Sequence, residues 1–366
     1  MAAPGLSRVR LSMKMEGEKM TVYEREIEKI AKSNLPWEDL EGKNVFISGA
    51  TGMIGKCLID VLMLRNTISE QKIRIVALSR NKERAKERFS AYLGKQEFSY
   101  ESCDVNKEIP ECGKVDYVIH AASNTHPLQY ATDSIGTITS NVIGTKNLLD
   151  YAVSHHAKHF CFLSSVEVYG ENRGDVEKFR EDYLGYLDCN TLRAGYPESK
   201  RLGEALCNAY KQTYDLEFTI PRLSRVYGPT MLASDTKAIS QFIKKAVAKE
   251  DIVLKSEGNQ KYSYTFVTDA VSGILAVMLL GTPGGAYNVA DGESDIALKD
   301  LANILADFAG TKVVFELPEE KEKQGYSTAT RAMLDTSKLN KLGWSAQVHM
   351  REGLKASLIH SDFRTK

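Results

Sequence analysis

The stretch NVFISGATGMIGKCLIDVL, residues 44–62, decides the fold. A short apolar run leads into Gly49, Gly52 and Gly55, and a helical apolar pattern follows. A backbone without Cβ turns tightly there and lets a pyrophosphate approach, with its charge on the helix N-terminus. Strand, glycine turn and helix in that order read as the start of a βαβ dinucleotide site, with Thr51, Met53 and Ile54 in the same loop beside the cofactor.

Working outward, the same alternation recurs. IRIVALS (73–79) precedes a helical segment at 82–93, DYVIHAA (116–122) one at 136–154, and HFCFLSS (159–165) one at 196–213. Continuous apolar strands separated by amphipathic helices predict a parallel sheet covered on both faces, so the fold class is α/β with a doubly wound Rossmann sheet. After residue 225 the pattern loosens. Helices near 236–248, 268–280 and 297–309 with the short strand AYNVA suggest a smaller C-terminal substrate-binding α/β lobe. The expected organisation is a tail and helical appendage over 1–41, an NAD(P)-binding domain carrying the catalytic residues over 42–225, and a mainly substrate-binding lobe over 226–366, with strand or helix returns to the first domain allowed.

Composition narrows the function. The 366 residues hold 48 basic and 48 acidic side chains, a formal charge of zero, which argues against nucleic acid as a partner. Cys57, Cys103, Cys112, Cys161, Cys189 and Cys207 are scattered without CxxC spacing, and a buried free thiol is the expected state of most. That points to a reducing, cytoplasmic setting. No run reaches the apolar length of a membrane span, and the leader MAAPGLSRVRLSMKMEGEKM lacks an apolar core, so it reads as a flexible tail. No His, Cys or Asp cluster has ligand spacing, so no metal is expected.

Two further stretches carry chemistry. SSVEVYG (164–170) ends a strand at its carboxyl edge, the edge where doubly wound sheets put ligands. RAGYPESKRLGEAL (193–206) places Tyr196 and Lys200 four apart, on one helix face. An ammonium near a phenol favours the phenolate, which makes Tyr196 a general base with a lowered pKa, and Ser165 can bond the hydroxyl that Tyr196 deprotonates. At the end of the second strand, ALSRN offers Ser79 and Arg80 where a carboxylate would hold the ribose of NAD. Arg80 leans the choice to NADP by pairing with a 2′-phosphate, though it can equally stack on adenine or stay solvated. Asp104, with Val105 beside it, is placed to reach the adenine amine or to sit in an exposed loop. His120 reads as a packed core histidine, and His126 as a candidate substrate contact.

With these residues in view, the chain resembles the extended short-chain dehydrogenase/reductases that modify nucleotide sugars, over about residues 42–360. The resemblance rests on GATGMIG, VIHAAS, SNVIGTKNLL, SSVEVYG, YPESK, RLSRVYGP, YTFVTDAVSGI, AYNVADGES and RAMLDTSKLNKLGW. It implies that Ser165, Tyr196 and Lys200 form the catalytic triad and that Lys200 also holds the nicotinamide ribose. It implies cofactor contacts from Ala121, Ala122, Ser123 and Asn141, and substrate contacts from Arg193, Arg222 and, at the diphosphate, Arg331. It also implies a homodimer built on the helices at 136–154 and 196–213, to which Leu202, Ala205, Leu206 and Ala209 offer an apolar stripe that sheet packing alone could also use.

The family's transient 4-keto sugar can be epimerised, decarboxylated or dehydrated, and the residues after Ser165 discriminate. The 4,6-dehydratases carry an Asp-Glu pair there; this chain has Val166, which cannot donate a proton, and Glu167. The pattern is most similar to UDP-glucuronate decarboxylases, and Glu167 is kept as a candidate second acid/base or loop anchor. Yet those enzymes have a serine at Val166 and an arginine in GxQxR where this chain has Tyr262, and Arg225 replaces an asparagine before VYGP. Arg225 either meets an acidic group of the substrate or makes a structural ion pair. The expectation is therefore an epimerase-type nucleotide-sugar enzyme using NAD or NADP. The alternatives are a UDP-glucuronate decarboxylase, an NADPH-dependent keto-sugar reductase, or a dinucleotide-sensing scaffold without activity.

Overall fold

The computed structural model describes residues 20–125, 127–316 and 329–360; leader residues 1–19 and His126 lie outside the described residues. The first elements are α1 (Val22–Ala31), β1 (Asn44–Ser48), α2 (Met53–Ile68), β2 (Arg74–Ser79), α3 (Lys82–Arg88), β3 (Phe98–Ser102) and β4 (Tyr117–His120). Next come α4 (Pro127–Thr132), α5 (Ser134–Ser154), β5 (His159–Phe162), β6 (Ser164–Ser165), α6 (Gly195–Tyr214), β7 (Glu217–Leu223) and β8 (Arg225–Tyr227). The remainder holds α7 (Ala238–Val247), β9 (Ile252–Leu254), β10 (Lys261–Phe266), α8 (Val267–Leu280), β11 (Ala286–Val289), β12 (Asp295–Ala297), α9 (Leu298–Ala309), β13 (Val313–Phe315) and β14 (Arg331–Ala332). Two short helices, Ser337–Asn340 and Met350–His360, close the described chain.

The main sheet is parallel, with β1, β4 and β5 buried on both faces as their unbroken apolar runs require. Its order is β11-β7-β5-β4-β1-β2-β3, with β6 added against β7. Order reverses at β1, between β2 and β4, and such a switch point is where a doubly wound sheet opens a crevice for a ligand. The glycine loop leaves β1 at that point. Strand β11, well beyond β7 in the chain, joins the same sheet beside it.

A second sheet, β12-β10-β14 with β8 on β10, and the pair β9–β13 build the lobe over their own core of Phe242, Ile243, Tyr264, Phe266, Leu301 and Leu305. Their strands are mostly three residues or fewer, too short to announce themselves by alternation. One helix is shorter than its pattern. The expected 82–93 segment stops at Arg88, because the chain turns to bury Phe89 and Tyr92 against Phe98. The expected appendage contributes to the main core: α1, started by a Thr21–Glu24 capping box, buries Tyr23 and Ile27, and Tyr23 Oη donates to Asp60 Oδ2 of α2 at 2.7 Å. All six cysteines are free, with Cys189 exposed and Cys112 half-buried. Among the described residues no helix is long and apolar enough to cross a membrane.

Candidate active site

The carboxyl edge of the main sheet and the lobe enclose a cavity of about 830 Å³. Its walls include Met53 and Ile54 from the glycine loop, Ala121 and Ser123 after β4, Ser165 and Glu167 after β5, Tyr196 and Lys200 from α6, and Arg225 and Tyr262 from the lobe side.

The cofactor end is built for close backbone approach. Gly49 has φ 68°, and a Cβ there would lie 2.6 Å from the Ala121 backbone; a Cβ on Gly55 would lie 2.6 Å from the Gly49 carbonyl oxygen. Gly52 caps the sixteen-residue α2 without a side-chain acceptor, leaving its first N–H groups for a ligand. These residues fit a dinucleotide diphosphate. Thr51 is buried in the loop. Ala122 N–H donates to Ser48 Oγ at 3.3 Å, and Ser123 Oγ donates to Asn141 Oδ1 at 2.7 Å. Asn141 is itself buried and donates to Ser199 Oγ, so it ties the segment after β4 to α6.

At the end of β2, Arg80 is exposed and reaches Asn124 Oδ1 at 3.4 Å, while Ser79 lies beside Tyr100. Asp104 accepts from Asn106 N–H at 3.1 Å, and Val105 packs against the Gly144 position of α5. His120 is a core residue bonded to Ser48 and Thr145, and burial pushes its pKa down to about 3.

At the catalytic end, Tyr196 is buried yet lines the cavity. The expected lowering of its pKa is corrected: burial pushes the phenol up to about 12, against bonding from Ser165 and Ser123 and the charge of Arg193, which pull the other way. Lys200 does not supply the missing push in this arrangement. Its Nζ donates to the Leu163 carbonyl at 2.8 Å and lies 4.8 Å from the Phe162 ring, and burial lowers it to about 8. Desolvation of both charged forms outweighs the i, i+4 proximity read from the sequence.

The lysine gives a pH prediction. Its folded pKa, about 8, lies below its usual 10.5, so the stability penalty of charging it is fully present below pH 8 and is relieved as pH rises toward 10.5. The melting temperature of the protein relative to Lys200→Met should therefore rise between pH 8 and 10, as scanning calorimetry would register. Parallel curves for the two proteins would contradict the buried ammonium.

Glu167, expected as an acid/base, is held as an ion-pair partner. Arg193 Nη2 donates to its Oε2 at 2.7 Å, and Arg225 Nη2 lies 3.6 Å from its Oε1. The Arg225 guanidinium sits 3.4 Å from the centre of the Tyr262 ring, and Arg193 sits 4.5 Å from that of Tyr130. Tyr130, which no periodicity marks, stacks on Tyr196 at 4.8 Å. Arg225 thus makes the ion pair with Glu167 and also lines the cavity.

Other residues are not brought to the cavity. Arg222 is engaged behind it, with Glu204 at 2.7 Å and 3.0 Å and with Tyr169 Oη and the Glu181 carbonyl. Arg331 is exposed on β14 beside Lys261. Lys237, Lys245, Lys255 and Gln260 line the wall without having been singled out by spacing. No cluster that could hold a metal occurs among the described residues.

The fold is of the doubly wound dinucleotide-binding class, and Ser165, Tyr196 and Lys200 line its cavity together. The chain belongs to the NAD dependent epimerase/dehydratase family, whose profile matches residues 45–290. It is 29% identical over 323 residues to UDP-glucuronic acid decarboxylase 3 of Arabidopsis thaliana, covering 88% of this chain and 89% of that protein. It is 28% identical to UDP-glucuronic acid decarboxylase 1 of Danio rerio, over 86% of this chain and 72% of the relative.

Among solved structures, UDP-glucose 4-epimerase of Thermotoga maritima superposes with TM-score 0.74 at 20% identity, covering 87% of this chain and 98% of that one. UDP-glucuronic acid 4-epimerase of Bacillus cereus, solved with UDP-glucuronic acid and NAD, gives TM-score 0.72 at 21% identity over 87% and 98%. The likeness to these structures establishes the fold.

Proposed function

We propose that this chain transiently oxidises a nucleoside-diphosphate sugar at C4 with bound dinucleotide and returns the hydride to give an epimer. The observation that carries the reading is the meeting of Ser165, Tyr196 and Lys200 in the wall of one cavity that Met53 and Ile54, which follow the glycine turn, also line. Bound NAD or NADP would supply the hydride acceptor and donor.

Tyr196 Oη takes the proton of the sugar hydroxyl, Ser165 orients that hydroxyl, and Lys200 holds the ribose side of the site. Burial keeps water from competing, and the charge of Arg193 offsets part of the cost that burial puts on the phenolate. Val166, buried and apolar beside Ser165, supplies no acid for elimination, which supports epimerisation over dehydration.

The test is incubation of the holoprotein with UDP-, dTDP-, GDP- and CDP-sugars followed by mass spectrometry. An isomer of unchanged mass is expected. Loss of carbon dioxide would make it a decarboxylase, stoichiometric consumption of NADPH a reductase, and turnover of none a scaffold.

Residues 42–225 would bind the cofactor and residues 226–366 mainly the sugar. Exposed Ile135, Ile138 and Leu202 on α5 and α6 support a homodimer through those helices, and the free cysteines a cytoplasmic setting. For the cofactor, a β2 end with Arg80 and no carboxylate supports NADP over NAD. Arg80→Ala is expected to raise the Kd of NADP about tenfold more than that of NAD in fluorescence titrations. Equal weakening of the two would remove Arg80 from cofactor selection.

A further inference from the structure

We propose that Glu204, which lies outside the cavity, is a positioning residue: with Lys200 it pins the two residues before Ser165 to α6 and so fixes the serine against Tyr196. The proposal rests on the C4 oxidation proposed above. Tyr196, Lys200 and Glu204 recur every four residues, on one face of α6. That face meets three consecutive residues beyond β5. Lys200 Nζ donates to the Leu163 carbonyl at 2.8 Å, and Ser164 Oγ donates to Glu204 Oε1 at 2.6 Å. Ser165 comes next, and its hydroxyl favours the charged form of Tyr196. Strand β6, made of Ser164 and Ser165, pairs with β7 alone among the described strands. A ladder so far below the usual strand length leaves side-chain ties to set its position.

Glu204 is itself held. Ser164 pairs in register with Arg222 of β7, whose Nη2 and Nε donate to the two Glu204 oxygens at 2.7 Å and 3.0 Å. Arg222 Nη1 donates to Tyr169 Oη and to the Glu181 carbonyl, each at 2.9 Å. Tyr169 Oη donates in turn to Asn288 Oδ1 at 2.7 Å. The Glu204 and Arg222 side chains are only 12% and 14% exposed. A two-pronged pair this dry has one geometry, yet it gains little stability over apolar residues of the same volume. Its use here is to place what it touches, and through Ser164 it touches the residue before Ser165.

The same carboxylate acts on Lys200 by its charge. Burial lowers the ammonium to about 8, and the negative charge of Glu204 one turn away pulls it back up. Cys207 of α6 and His120 of β4 also face Lys200. Burial raises the thiol and lowers the imidazole to about 3, so near pH 7 neither carries charge. Glu204 is thus the charged neighbour that keeps the buried ammonium protonated, while its hydrogen bond from Ser164 keeps the strand end in place.

The experiment uses two variants of the full chain. Glu204→Gln keeps an oxygen for Ser164 and removes the charge, whereas Ser164→Ala removes the tie and keeps the ion pair. With carbon-13-labelled lysine followed by NMR, the Lys200 resonance, identified by its loss in Lys200→Met, should titrate about one pH unit lower in Glu204→Gln. In the dinucleotide-loaded protein, Ser164→Ala should lower kcat about 30-fold on whichever UDP-, dTDP-, GDP- or CDP-sugar is converted fastest, with KM within about threefold of wild type. Should Glu204→Gln not fold, Ser164→Ala carries the test. The inference is overturned if Ser164→Ala keeps the wild-type kcat, if its whole effect falls on KM, or if the Lys200 midpoint stays where it was in Glu204→Gln. Absence of turnover with every sugar sinks the C4 oxidation instead, and the Lys200 titration then decides whether Glu204 acts on its neighbour.

Discussion

Tyr196→Phe is expected to lower kcat by about three orders of magnitude while the protein stays folded and still binds dinucleotide. The ring remains: it is buried, stacked on Tyr130, and its removal rather than that of the hydroxyl would disturb packing. What is lost is the hydroxyl proposed to take the proton, whose charged form Ser165 and Ser123 favour. Coupled measurement of product formation and calorimetric dinucleotide binding separates the two effects. Turnover near the wild-type rate in the Phe variant would remove Tyr196 from the chemistry, and a collapse of binding would make its role structural.

The second large effect falls at the other end of the site. Gly49→Val should abolish dinucleotide binding and cost about 3–5 kcal/mol of stability, since it combines two penalties. A β-branched residue at φ 68° is strained, and its Cβ would enter the Ala121 backbone at 2.6 Å. Gly94→Ala is the control: it has φ 88° with nothing within 4 Å, so only the conformational cost of about 1–2 kcal/mol applies and cofactor affinity should hold. Urea unfolding with parallel titration of dinucleotide reads both. Should the Gly49 variant bind like wild type, the close approach is not what the loop is for.

The two effects fall on residues whose placement the sequence already carried. Glycines between a strand and a helix, and a tyrosine and lysine one turn apart, are local patterns whose geometry follows from backbone periodicity alone. The sheet was legible for the same reason: β1, β4 and β5 carry unbroken apolar runs because both their faces are covered.

Charge was less legible than shape. Spacing put Lys200 beside Tyr196, but only the fold shows its ammonium spent on the Leu163 carbonyl and both groups buried enough to shift away from the charged forms. The Glu167–Arg193–Arg225 cluster joins three separate segments of chain, and its stacking partners Tyr130 and Tyr262 come from two more. No periodicity encodes such a meeting. Arg222 illustrates the converse, since a residue beside a family motif proves to be committed to Glu204. In the lobe, strands of two or three residues gave no alternation to read.

The most direct measurement of the central claim follows absorbance at 340 nm in a single turnover of the dinucleotide-loaded protein with nucleotide sugars deuterated at C4. Transient reduction of the cofactor, slowed by the deuterium and missing in Tyr196→Phe, with the label returned to C4 of the product, is the predicted result. A product formed with no transient, or with the C4 label lost to water, would contradict hydride transfer at that carbon.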